Sequence, residues 1–143
     1  MADALARFIE AQDAHGTYAR VRAELRGGRK QSHWMWFVFP QLVGLGRSEV
    51  ARRYGIADLD EARAYAAHPV LGDRLVECTS ALLELEEDDP VAILGSIDAR
   101  KLRSSMTLFE RACPDEPTFA AVLERLYAGA RDELTLDLLD RSA

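Results

Sequence analysis

The chain has 143 residues, 48% of them hydrophobic and 29% charged, with a formal net charge of -6. That is enough for one globular domain that buries a core without disulfide staples. It excludes the broad basic surface that displaces counterions from extended nucleic acid, while leaving room for a small basic pocket that takes one phosphorylated ligand.

Two cysteines, Cys78 and Cys113, form neither a CxxC pair nor a metal-type cluster with His15, His33 and His68. They read as reduced thiols of a cytoplasmic protein, and no metal or cofactor is expected. The opening segment MADALARFIEAQDA carries Asp3, Glu10 and Asp13 and does not read as a signal peptide. No stretch reaches the roughly 20 apolar residues of a membrane span.

In chain order, Leu5, Phe8, Ile9 and Gln12 fall on one helical face. Gly16 breaks that helix and Thr17 is placed to cap the next, whose stripe is Tyr18, Val21 and Leu25. Gly27-Gly28 stops it. HWMWFVF, residues 33–39, lacks the alternation of a strand and reads as a short buried helix, with Ser32 as N-cap and Pro40 as stop. Ser48 caps a two-turn helix. Asp58, with Glu61 three residues on, makes a capping box with Asp in place of Ser or Thr. Pro69 opens a helix striped by Leu71, Leu75, Cys78, Leu82 and Leu85. Asp89-Pro90 starts a short one, and Asp98 is placed to cap DARKLRSSMTLFERA. Two more helices, separated near Gly129, complete the chain. The expectation is an all-α single domain over residues 1–143, of about eight short-to-medium helices, too many and too short for a simple four-helix bundle.

Two polar groups are poorly explained by folding. Lys30, Ser32, His33 and Gln41 surround the aromatic segment that holds Trp34 and Trp36. A lysine after two glycines at a helix start suits an anion, although a solvated loop lysine is the commoner case. The tryptophans are two apart, so on a helix they cannot share a face; one enters the core and the other is left for a pocket or the surface, where its ring can stack on a base or sugar. The second group is Asp98, Lys101, Ser104, Ser105 and Thr107. Spacings of three and four put Asp98, Lys101 and Ser105 on one face, with Ser104 turned elsewhere. His33, Asp98 and Ser105 are the candidates for proton transfer, and Lys30, Ser32, Trp34, Trp36, Gln41, Lys101 and Ser104 those for ligand binding.

These segments, KQSHWMWFVFPQLVGLGRSEVARRYGI, AAHPVLGDRL and DARKLRSSMTLF, resemble the signature blocks of a bacterial family catalogued as domain of unknown function 1810, whose members are sometimes labelled calpastatin. The resemblance runs from about Leu5 to Leu139 and implies a small, mostly helical cytoplasmic protein. It implies no activity, and the calpastatin label does not suit a packed domain, because calpastatin's inhibitory regions are disordered. The order of features also resembles the NADAR/YbiA-like group, which acts on N-glycosidic or ADP-ribosyl linkages. The features are Ser32-His33-Trp34 and a later helix with Pro69, Leu71 and Gly72. The chain departs from that group in having Ser32 where an acid precedes the aromatic pair, and no tryptophan after Asp137.

Two functions follow as expectations. The first is an enzyme or sensor with a pocket for a phosphorylated, nucleotide-like small molecule. The second is a non-enzymatic protein-binding or structural module using an aromatic surface. The sequence sets neither oligomeric state nor substrate. The deciding question is whether residues 30–41 and 98–107 converge.

Overall fold

Leu71, Leu75, Cys78 and Leu82 recur at helical spacing, and one helix, Leu71–Glu84, buries all four. The computed structural model describes residues 3–142. Ten α-helices run in the order α1 (Asp3–Asp13), α2 (Thr17–Arg26), α3 (Met35–Val38), α4 (Glu49–Arg53), α5 (Leu59–Ala67), α6 (Leu71–Glu84), α7 (Pro90–Leu94), α8 (Ser96–Ala112), α9 (Pro117–Tyr127) and α10 (Glu133–Ser142). A 3-10 turn, Ala14–Gly16, joins the first two. Each helical segment taken in chain order above is present, with α3, α4 and α7 as the short ones. Among the described residues the only β pairing is an isolated parallel bridge between Leu42 and Ile56. No helix among them is long and apolar enough to cross a membrane.

The longest helix, α8, is the hub: it packs against α5, α7, α9 and α10. Its core face carries Leu102, Met106 and Phe109, all with no exposed surface. Phe8, Tyr65, Phe109 and Phe119 form a ladder of ring contacts with centroids 5.1, 5.4 and 5.7 Å apart. Each such pair contributes about 0.5–1.5 kcal/mol beyond area burial.

Three predicted caps form as read. Ser48, Asp58 and Asp89 accept from the backbone N–H groups of Ala51, Glu61 and Val91. Three others do not. Gly16 holds the N-cap of α2 with φ 68°, and Thr17 Oγ1 instead donates back to the Ala14 carbonyl at 2.5 Å. Ser32 leaves the start of α3 to Trp34 and bonds elsewhere. Asp98 lies in the first turn of α8, not at its cap. Gly95, with φ 89°, lets α7 end and α8 begin at once, and it holds the N-cap three residues before Asp98.

The loop after α3 is held in place by its backbone. Gln41 O accepts from Ile56 N at 2.9 Å, and Val43 N donates to Ile56 O at 2.8 Å. This pairing sets residues 41–46 opposite one face of α8.

Candidate functional site

The glycine stop of α2 delivers Lys30 to α7, where its backbone N–H donates to Ile93 O at 2.8 Å. Its ammonium then reaches Asp98 Oδ2 at 2.8 Å, with a side chain only 8% exposed. Lys101 approaches Asp98 Oδ1 from the other side, at 3.5 Å. Each ammonium also stands over an indole: Lys30 is 5.3 Å from the Trp34 centroid and Lys101 is 3.5 Å from that of Trp36. Asp98 is thus clasped by two lysines, each covering a tryptophan, and the two predicted segments meet.

A cleft of about 560 Å³ opens beside this cluster. The loop side supplies Trp36, Gln41, Leu45 and Gly46; α8 supplies Ile97, Arg100, Lys101, Arg103 and Ser104; the entry to α10 supplies Asp132 and Leu134. Asp132 is consumed structurally. Its Oδ2 accepts from Thr135 N at 3.1 Å and Thr135 Oγ1 at 2.5 Å, and lies 3.1 Å from Ser104 Oγ. Arg103 is only loosely drawn to it, at 3.9 Å, and Arg103 Nε is buried without a hydrogen-bond partner among the described residues. Three cations therefore face one engaged carboxylate, on a chain whose net charge is -6.

Of the residues named from sequence, Trp36, Gln41, Lys101 and Ser104 line the cleft, and Lys30 and Asp98 stand behind it. Ser104 and Ser105 exchange the faces expected of them. The stripe Ile97, Arg100, Lys101 and Ser104 faces the cleft, whereas Ser105 falls on the flank of Leu102 and Phe109, fully buried and with no partner for its hydroxyl among the described residues. His33 is exposed. Trp34 is 1% exposed and is the core tryptophan of the pair.

Sequence reasoning missed Glu24, which organises the other end of the segment. Its carboxylate accepts from Gln31 N at 2.7 Å, Ser32 N at 3.0 Å, Ser32 Oγ at 2.5 Å and Trp34 Nε1 at 2.9 Å. Partial burial raises its pKa, but these hydrogen bonds outweigh that and hold it at about 2 against an ordinary 4.5. The stability this adds is whole above the unfolded value and is lost as pH falls from there through the folded one. In urea unfolding, the gap between wild type and Glu24→Gln is therefore expected to be widest near neutrality and to close toward about pH 2. A gap that stays constant over that range would contradict the assignment. Glu24 also walls a separate groove of about 350 Å³ with Arg20, Arg29 and Gln31, but its carboxylate is already saturated there.

Arg100 and Arg103 were also missed. They flank Lys101 in ARKLR, and the signal that could have found them is the three cations within four residues. Among the described residues no group of His, Cys, Asp and Glu side chains could hold a metal ion.

A family model described as a protein of unknown function (DUF1810) matches residues 2–139. The chain belongs to that family. The DUF1810 chain is also similar to the crystal structure, at 1.38 Å, of the conserved hypothetical protein Rv1873 from Mycobacterium tuberculosis. The two are 49% identical with a TM-score of 0.92, over 95% of this chain and 96% of that one. No curated protein matches the chain. These likenesses fix fold and family and assign no activity, so the chemistry of this DUF1810 cleft rests on its own residues.

Proposed function

We propose that the protein binds a small phosphorylated, nucleotide-like molecule in the cleft between the 41–46 loop and α8, as a sensor or an enzyme. The observation that carries this reading is the meeting of two segments far apart in sequence: Trp36 and Gln41 stand across one concave space from Lys101 and Ser104. The volume, about 560 Å³, is that of a small-molecule site. An incoming anion would meet the guanidinium of Arg103, whose Nη2 is only loosely drawn to Asp132 at 3.9 Å and whose side chain is partly exposed on the cleft. The half-buried indole of Trp36 supplies a stacking platform.

Cleavage of an N-glycosidic or ADP-ribosyl bond would require proton-transfer groups gathered about that bond. Here His33 is on the exterior, Ser105 is in the core, and Asp98 is engaged by two lysines. We therefore favour reversible binding over bond cleavage. The reading as an aromatic protein-docking surface has less to draw on. The most exposed large hydrophobics among the described residues are the aliphatic Ile97 and Leu134, and both sit on the rim of this same cleft.

Thermal-shift measurements with nucleotides, ADP-ribose and NAD test the proposal. A ligand at 100 times its Kd adds about 2.7 kcal/mol, a rise of several degrees for a domain of this size. The Arg100→Ala/Lys101→Ala variant is expected to lose most of that rise. If none of these ligands stabilises the wild type, the reading fails.

A further inference from the structure

We infer that the cleft has two ends, with Gln41 as its specificity-determining residue. Gln41 reads the hydrogen-bonding edge of a nucleobase, while Arg100, Lys101 and Arg103 hold the phosphate. This rests on the reading above and divides it between residues.

The backbone of Gln41 is pinned to Ile56, so its side chain projects from a fixed point. Its amide lines the cleft and has no hydrogen-bond partner among the described residues. At Gly46, the position a Cβ would occupy lies 3.9 Å from both Gln41 Nε2 and Trp36 Cη2, and 2.8 Å from Ala51 Cβ. Gly46 thus lets the loop close down on Ala51, which holds the Gln41 amide and the rim of the Trp36 indole beside one another on the cleft wall. An amide presents a donor and an acceptor side by side, which suits the adjacent donors and acceptors along a nucleobase edge. A sugar phosphate has no such edge.

Lys101 connects the two ends. It shares Asp98 with Lys30 and is the looser partner, at 3.5 Å against 2.8 Å. It also covers the Trp36 ring. A phosphate that draws Lys101 toward Arg100 and Arg103 bares that ring, and a base on the same ligand covers it again. A ligand with both an anion and a planar ring makes both replacements; one with the anion alone leaves the ring bare.

The test is calorimetric titration of the full chain with AMP, GMP, CMP, UMP and ribose 5-phosphate. At least one nucleotide is expected to bind about tenfold or more tightly than ribose 5-phosphate. In Gln41→Ala that margin collapses while ribose 5-phosphate affinity is unchanged. Gln41→Glu, which keeps the size but drops the amide donor, reorders the preference among the four bases. Equal binding of nucleotides and ribose 5-phosphate, or an unchanged margin in Gln41→Ala, overturns the role of Gln41 and leaves phosphate binding standing. No binding of any of the five overturns both.

Discussion

Gly72→Ala is expected to destabilise the fold by about 3 kcal/mol, lowering Tm by about 10 °C. A Cβ at Gly72 would lie 2.1 Å from the carbonyl oxygen of Ala66 and 2.9 Å from its carbonyl carbon. Both are backbone atoms of α5, so no side chain can rotate away; α5 and α6 must separate. That separation would open the contact beneath Tyr65 and Leu71, both with no exposed surface. Overpacked core sites lose 1–3 kcal/mol when side chains can adjust, and the rigid neighbour here places the effect at about the top of that range. Urea unfolding should show a lower midpoint with an unchanged m-value. A loss below about 0.5 kcal/mol would show that the two helices do not touch as described.

The same glycine illustrates how much of the fold was legible. The stripe of α6 was plain, because Leu71, Leu75, Cys78 and Leu82 obey the helical period. The reason for Gly72 was not, because it lies in the approach of α5, which no local pattern records. Caps divide in the same way. Asp58 and Asp89 precede their helices with nothing to compete for their carboxylates, and both cap as read. Ser32 and Asp98 have tertiary partners that outcompete a cap: the Glu24 carboxylate for one and the lysine pair for the other.

The site was legible as composition and not as geometry. Trp36, Gln41 and Lys101 stood out because their polarity or size did not fit a helix interior, and they share one cleft. Ser104 and Ser105 are neighbours, and only the orientation of α8 decides that the first meets the cleft and the second the core. Asp132 and Leu134 reach the cleft from the far end of the chain, across a turn whose direction no spacing rule fixes. Glu24 shows the limit most clearly. It lies on an ordinary amphipathic helix, and its four donors come from residues 31, 32 and 34, which fold back over it only because Gly27 and Gly28 end α2 there.

Asp98→Ala is expected to cost about 3 kcal/mol of stability, although Asp98 borders a cleft and invites a purely functional role. Its removal would leave Lys30, 8% exposed, without a counter-charge and close to the second ammonium of Lys101. Lys101 is held more loosely and can turn to solvent. Lys30 cannot, because its backbone is bonded to α7 and its ammonium, on a side chain 8% exposed, stands over the Trp34 ring. The expected asymmetry follows: Lys30→Met and Asp98→Ala each destabilise, while Lys101→Met changes stability by less than about 1 kcal/mol. The double variant Lys30→Met/Asp98→Leu replaces the pair by apolar side chains and is expected to recover most of the loss, since both buried charges leave together. A double-mutant cycle in chemical denaturation measures this coupling. Full additivity would mean that Lys30 and Asp98 do not depend on one another. A near-neutral Asp98→Ala that nevertheless abolished ligand binding would move Asp98 from the brace behind the cleft into the binding set.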